Sequence, residues 1–408
     1  MNILQVIYIG ILITLSYFTI FHLILWFENR GNLKRGRIKD GDLPRVTVLV
    51  PAYNERENIA STLENLLAVD YPKSKLEIIV IDDGSKDNTF EIAQRFKSKH
   101  LKVIRKRNSG KASTLNYGIR LAKHDFVAVM DADSFLDKNA LRQCMACFDD
   151  EKVAAVTSHI LVKRTKGLWE KLQDIEYMIV AAMRKAEEYV NIIAVTPGPL
   201  GVYRKKDLVK VGGFDEKNLI EDVEIAWRLL KHGYKIRMAF DAMVYSIYPD
   251  NLKMWWRQRK RWVIGGLQTF FKYSHTMFDR KSHGVGNFIV PASLIGYILA
   301  LLGTSIFSYI ILSRLMNFLL YVIAALAVGA NPLLGIDFSY NVDLLFVYGM
   351  MMFLISLAVL RLSFRVHGYR PNFFILLLFI AVYPLLSTLN LLISAYNFFR
   401  GERGWLTK

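Results

Sequence analysis

The sequence predicts an α/β domain, with a mostly parallel mixed sheet and helices on both faces, carried on a helical transmembrane region. Three observations lead there. Strand-like and helix-like segments alternate from Val46 to Val156, apolar runs of bilayer length lie towards both ends, and the charge is concentrated between them. The chain of 408 residues has room for two domains, and its 53% hydrophobic content and mean hydropathy of +0.23 are high for a water-soluble enzyme.

Residues 4 to 26, LQVIYIGILITLSYFTIFHLILW, contain no Lys, Arg, Asp or Glu. As a helix that length covers about 30 Å, a bilayer core, so the stretch reads as a transmembrane helix. A cleavable signal peptide is disfavoured, because no basic region opens the run and no small-residue cleavage site follows it. Arg30, Lys34, Arg35, Arg37 and Lys39 come next, and the positive-inside rule then places residues 30 to 286 in the cytosol and the N-terminus outside. From Gly286 onward, apolar runs at 288–313, 315–336, 342–360 and 372–398 are broken by Arg314, Asp337, Asp343 and the RLSFRVHGYR stretch. Four separate crossings there would leave the 331–341 loop, which has no basic residue, in the cytosol and the arginine-bearing 361–370 loop outside, against the charge rule. The expectation is that one half of 288–336 lies along the membrane surface or re-enters it, leaving about four full crossings in the whole chain. The resulting division is 1–29 membrane helix, 30–245 cytosolic domain, 246–286 amphipathic interface helices and 287–408 C-terminal transmembrane region.

The net charge of +17 comes from 53 Lys and Arg against 36 Asp and Glu, and the apolar runs carry almost none of it. Anionic lipid headgroups and phosphate-bearing substrates suit a basic, membrane-anchored domain better than nucleic acid does. Cys144 and Cys147 form a lone C-x-x-C without the second pair of a zinc site, and read as buried positions on a helix.

Within the cytosolic part, VTVLVPAYNE, LEIIVIDDGS, LKVIRK and FVAVMDADS read as strands, and 57–68, 87–99 and 110–123 as the helices between them. Open sheets of this kind bind ligands beyond the carboxyl ends of their strands. That is where the polar residues gather: Tyr53, Asn54 and Glu55 after the first strand, Asp82 and Asp83 after the second, Asp131 and Asp133 after the fourth. If the fourth strand carries both of the last two, their side chains share one face. Two carboxylates suit Mg²⁺ or Mn²⁺, which commonly completes its shell with substrate phosphate oxygens. NSGKAST lacks the first glycine of a phosphate-binding ATPase loop, which Arg105 replaces, and no G-x-G-x-x-G follows the first strand, so ATPase and dehydrogenase chemistry are excluded.

Further along, LIEDVEIAWRLLKHGY places Glu221 and Asp222 at the start of an amphipathic helix, where the macrodipole favours carboxylates. In WWRQRKRW, Gln258, Arg261 and Trp262 lie at i, i+3 and i+4 on one helix face, with Arg259 and Lys260 off it. Amide, guanidinium and indole together can hold a phosphate and stack on a ring.

PAYNE, IDDGS, DAD, IED and QRKRW, in this order, resemble the processive family-2 glycosyltransferases, which include cellulose, hyaluronan and poly-N-acetylglucosamine synthases. KLQDIEY, GFDEKNLIEDVEIAWRLLKHGYKI and WWRQRKRWVIGG are most similar to the poly-N-acetylglucosamine synthases. The chain departs from them at Thr196-Pro197-Gly198-Pro199, where those enzymes have serine-glycine near the acceptor. The resemblance implies a glycosyltransferase A fold. It also implies that Asp82 and Asp83 contact the uridine of a UDP-sugar, that Pro51, Tyr53, Asn54 and Glu55 line the nucleotide pocket, and that Lys111 lies near the phosphates. Asp131 and Asp133 then hold the ribose and the metal, Asp222 beside Glu221 is the general base, and Gln258, Arg261 and Trp262 bind the diphosphate and the acceptor. The implied acceptor is a growing polysaccharide or a lipid-linked sugar, and the implied setting is the cell membrane, with export through the helices and a small membrane partner subunit as options. A cellulose-type or hyaluronan-type synthase, or a single-addition transferase on a lipid carrier, remains the alternative.

Overall fold

The computed structural model describes residues 3–29, 31, 36, 38–163, 165–331, 344–366 and 368–401. An apolar helix, α1 (Ile3–Asn29), precedes the domain. The chain then forms β1 (Val46–Ala52), α2 (Ile59–Leu67), β2 (Leu76–Asp82), α3 (Thr89–Gln94), β3 (Leu101–Arg105), α4 (Lys111–Leu121), β4 (Phe126–Val129), β5 (Ser134–Leu136), α5 (Ala140–Met145) and β6 (Val153–Val162). It continues through α6 (Leu168–Glu188), β7 (Gly201–Arg204), α7 (Lys205–Lys210), α8 (Glu221–Lys231), β8 (Lys235–Ser246) and α9 (Leu252–Tyr273). The apolar helices α10 (Val290–Ala327), α11 (Leu344–Val366), α12 (Phe373–Ala381) and α13 (Tyr383–Phe399) follow.

The sheet has the order β3-β2-β1-β4-β7-β6-β8-β5. Its first four strands are parallel, β7 runs antiparallel to both β4 and β6, β8 is parallel to β6, and β5 is antiparallel to β8. Alternation sorts each strand between two cores. Val46, Val48 and Val50 of β1 and Ile78 and Val80 of β2 pack with α2 and α5, while Leu49, Ile79 and Ile81 face the other way onto α4 and α8. Burying each such side chain contributes about 1.5–3 kcal/mol. Gly118 of α4 is the point of closest approach, since a Cβ there would lie 2.7 Å from Ile81 Cδ1 and 2.9 Å from Leu49 Cδ1. The mostly parallel mixed sheet is as expected, and Cys144 and Cys147 are buried free thiols at and just beyond α5.

Several local expectations are corrected. The helix expected over 87–99 closes after Gln94. The DAD residues are not on β4, which ends at Val129: the Met130 N–H still donates to the Leu49 carbonyl at 3.0 Å, but the Asp131 N–H donates to Gly198 and the Ser134 N–H turns back to the Asp131 carbonyl. Asp131 and Asp133 therefore occupy a turn between β4 and β5, not one face of a strand. The break expected at Arg314 is also absent, because α10 runs through it for 38 residues, about 57 Å. Arginine is a good helix former, and one charge does not interrupt backbone hydrogen bonding. The 372–398 run, conversely, is two helices separated at Val382, with a proline in the first turn of the second.

Four stretches, Val6–Asn29, Val285–Ala327, Val347–Val366 and Phe373–Phe399, are long and apolar enough to cross a membrane. Leu312 is 65% exposed, Leu326 63% and Phe373 71%, an apolar surface that lipid covers more favourably than water. Arg30, Lys34, Arg35 and Arg37, on which orientation was argued, and Asp337 and Asp343 lie outside the described residues.

Helix α6 carries a fully buried ion pair, Lys185 Nζ to Glu188 Oε2 at 2.7 Å, and both members hold the Met238 backbone of β8, the ammonium donating to its carbonyl at 3.1 Å and Glu188 accepting from its N–H at 3.0 Å. Removing the lysine leaves Glu188 fully buried with the more distant Arg237 guanidinium, at 3.8 Å, as counter-charge. Lys185→Met is expected to lower stability by roughly 3–5 kcal/mol, read as a lower unfolding midpoint of the detergent-purified protein. An unchanged midpoint would contradict this role.

Candidate active site

The carboxyl ends of β1, β2 and β4 open on one side of the sheet, and the loops that leave them are tied to one another. Asn54 adopts a left-handed backbone with φ of 56°, which asparagine tolerates, and its side chain accepts from the Lys86 N–H at 2.9 Å. Its own N–H donates to Ser85 Oγ, and that of Glu55 to Thr89 Oγ1. Pro51 is held within β1 opposite Ile81, while Tyr53, 36% exposed, projects from the rim. Asp82 is buried and pairs with Arg105 at 3.1 Å while accepting from the Ser85 N–H. Asp83 accepts from the N–H groups of Ser109 and Gly110 at 3.0 and 2.8 Å and pairs with Lys106. Both carboxylates thus hold the floor of the expected nucleotide pocket in shape, and one oxygen of Asp82 is buried with no hydrogen-bond partner.

Gly110, at φ of 91°, turns the chain into α4 and delivers Lys111 to the centre. Its ammonium lies 2.6 Å from Asp131 Oδ1 and 3.0 Å from Glu221 Oε1. Burial opposes the charge, but Asp131, Glu221 and Asp222 outweigh it and hold the lysine pKa above its ordinary value. The counter-ion of Asp131 is thus a side chain of the same domain. Asp222, on the first turn of α8, accepts from the Val223 N–H, and its carbonyl accepts from the N–H and hydroxyl of Thr196 at 3.1 and 3.0 Å. Burial first, then Glu221, pushes the Asp222 carboxyl up to about 6 against the opposing pull of Lys111 and Arg261. The Thr196–Pro199 departure sits on this cluster. A Cβ on Gly198 would come within 2.6 Å of both Asp131 Oδ2 and Lys111 Nζ, so the backbone there forms a wall of the site.

Helix α9 closes the opposite side. Arg261 acts electrostatically on Asp222, Trp262 packs with Ile160, Val162, Tyr177 and Tyr248, and Gln258 has a buried side-chain oxygen without a partner. Arg259, off that face, pairs with Glu176 of α6 at 2.5 Å and lies 4.2 Å above the Trp262 ring. Glu176 also accepts from the Tyr383 hydroxyl at 2.7 Å, and that hydroxyl accepts from Trp255 Nε1 at 2.9 Å. This network, joining the domain to α13, was not found from sequence because Glu176, Arg259 and Tyr383 share no local pattern. Tyr383 and Asn390, whose amide donates to the Trp256 carbonyl at 3.0 Å, are packing contacts here.

Among the described residues no group of three or more His, Cys, Asp and Glu side chains converges on a metal position. Asp131 and Asp133 both act on Tyr248 and supply only oxygen, a set that suits a hard cation whose remaining ligands come from phosphate and water.

Residues 44–265 match the family described as "Glycosyltransferase like family 2". The chain is 34% identical over 251 residues to the poly-beta-1,6-N-acetyl-D-glucosamine synthase of Staphylococcus aureus strain COL, covering 60% of each chain. It is 33% identical over 259 residues to a probable glycosyltransferase, YdaM, of Bacillus subtilis, covering 61% of this chain and 62% of that one. These matches therefore span about three-fifths of each relative's length. In fold it is similar to the mannosyltransferase PcManGT from Pyrobaculum calidifontis, solved with GDP-Man and Mn²⁺, at a TM-score of 0.62, with 22% identity over 96% of this chain and 99% of that one.

The tight fit at Gly198 makes a direct test. Gly198→Ala must displace the Lys111–Asp131 pair and is expected to lower glycosyltransferase turnover by about 10²-fold, the scale of a 1 Å misplacement at a reacting centre, while the protein keeps its unfolding midpoint. Turnover within twofold of wild type would remove the wall from the site. The family match takes in all eight strands and extends through Arg261 and Trp262 on α9, and on that ground the chain belongs to the family-2 glycosyltransferases.

Proposed function

We propose that this glycosyltransferase is embedded in the cell membrane with its catalytic domain in the cytosol, and that it transfers a sugar from a UDP-sugar, UDP-N-acetylglucosamine, to a growing β-linked polysaccharide. The observation that carries this reading is a carboxylate raised to about 6, Asp222, on which the cations Lys111 and Arg261 both act, beside the Asp131–Lys111–Glu221 ion pairs. Similarity to the staphylococcal poly-beta-1,6-N-acetyl-D-glucosamine synthase supports the sugar and the polymer.

The chemistry follows from these groups. Asp222 accepts the proton of an acceptor hydroxyl as its oxygen attacks the anomeric carbon, and the bond to the diphosphate breaks on the far side. A single displacement inverts the centre, so an α-linked donor yields a β-linkage. Lys111 and Arg261 face the negative charge that grows on the leaving diphosphate, where a preorganised donor contributes roughly 3–4 kcal/mol. Asp131 and Asp133 would hold a Mg²⁺ or Mn²⁺ ion, which supplies further neutralisation of that diphosphate when bound. Trp262 offers a face on which the acceptor sugar stacks. Because the polymer is made on the cytosolic side, the membrane helices assist its export, alone or with a small partner subunit.

The test is UDP release by lipid-reconstituted protein across a panel of UDP-sugars, with product length read in parallel. Turnover of UDP-N-acetylglucosamine into long chains is expected, stopped by chelation and restored by Mg²⁺ or Mn²⁺. A single-sugar lipid product would assign the chain to carrier glycosylation, and absence of turnover with any donor would defeat the reading. Asp222→Asn is expected to lose about 10²–10⁴ in rate. In the wild type kcat/KM should fall as pH drops through about 6, because the raised carboxyl is then protonated and no longer a base. A flat profile from pH 5 to 8 would reassign the base.

A further inference from the structure

Arg184 is a buried cation that the mechanism above leaves unused. It lies in the last turn and a half of α6, is only 6% exposed, and its Nε is buried with no hydrogen-bond partner. A guanidinium stays charged in a protein, so leaving its buried Nε–H unsatisfied is costly unless something arrives to accept from it. Arg184 follows Tyr177 by seven residues, two helical turns, which places both on one face of α6. The Tyr177 and Tyr248 rings lie 4.4 Å apart, tilted by 35° to each other, and this pair packs with Trp262. The charges acting on the guanidinium include Glu187 of its own helix and Asp222 across the site. Its charge is thus balanced at a distance, and what it lacks is an acceptor atom rather than a counter-ion. A second anion would be placed beside Asp222 and Glu187, so a neutral carbonyl oxygen fits better than a carboxylate or phosphate.

The geometry points to Arg184 as the residue that recognises the acetamido carbonyl of the acceptor sugar, with the rings of Tyr177, Tyr248 and Trp262 flanking that sugar. This rests on the proposed N-acetylhexosamine polymer and deepens it: the preference for an acetylated acceptor is set on α6, away from the donor pocket, by the unsatisfied Nε–H of Arg184 reaching a carbonyl that a glucose unit lacks.

The experiment measures equilibrium binding of β-1,6-linked pentamers of N-acetylglucosamine and of glucose to the full chain in lipid nanodiscs, for wild type, R184Q and R184K. Both ligands are neutral, so bulk charge does not separate them. Wild type is expected to bind the acetylated pentamer at least about tenfold more tightly, the scale of one charge-assisted hydrogen bond. R184Q, and R184K with its single point donor, should shrink that ratio to about twofold. R184K carries the same test should R184Q fail to fold. Persistence of the ratio in a folded variant, equal weakening of both pentamers, or no preference in wild type overturns the inference. So does weaker UDP binding in R184Q with the ratio intact, which would move Arg184 to the diphosphate. Donor turnover is measured on the same samples. Its absence beside an Arg184-dependent ratio would defeat the transferase reading and leave this inference standing.

Discussion

One ammonium group organises the centre of this protein. Lys111 stands between Asp131, which leaves the parallel half of the sheet, and Glu221, which opens α8 far along the chain. Without it, Asp131, Glu221 and Asp222 would crowd like charges into a poorly solvated space, and some would have to take up protons. Even with it, burial first and then the neighbouring Glu221 raise the Asp222 carboxyl, which is suited to receive a proton near neutral pH. The backbone is built to the same constraint. Gly110 turns the lysine inward, and Gly198 supplies a wall with no room for a side chain.

The second dependence is mechanical. Helix α9 presents Arg261 and Trp262 to the site on one face and uses Arg259 to grip Glu176 of α6 and Tyr383 of α13. Arg261 and Trp262 therefore sit on a helix that is tied to the apolar helix α13 through Tyr383, by ion pairs and hydrogen bonds rather than through loops. Helix α6 is in turn fastened to β8 by Lys185 and Glu188, which keeps Arg184 and Tyr177 in register with Trp262.

Much of this architecture was legible in the amino-acid order. Periodicity alone separated strands from helices through the first half of the domain, because β1, β2 and β4 are apolar on both faces and end in polar clusters. Cys144 and Cys147 were correctly read as buried. Reading failed where a local pattern was ambiguous. FVAVMDADS looks like one strand, but the Asp131 N–H finds its partner at the Gly198 carbonyl, far along the chain, and the Ser134 N–H turns back to Asp131. Arg314 looked like a helix break because a charge in an apolar run resembles a boundary, yet it costs the backbone nothing.

By itself, then, the sequence determined the class of domain, the apolar helices that flank it, and the residue types at the strand ends and on the Arg261 face of α9. These depend on spacing along the chain, which a reader can count. The tertiary structure alone decided that Lys111 is the counter-ion of the carboxylates, that Asp82 and Asp83 are engaged in holding loops, that Arg259 is an anchor, and that Arg184 is buried without a hydrogen-bond partner. Each of these is a property of which groups meet after folding, and the electrostatic cost of burial is set by neighbours that sequence distance does not reveal.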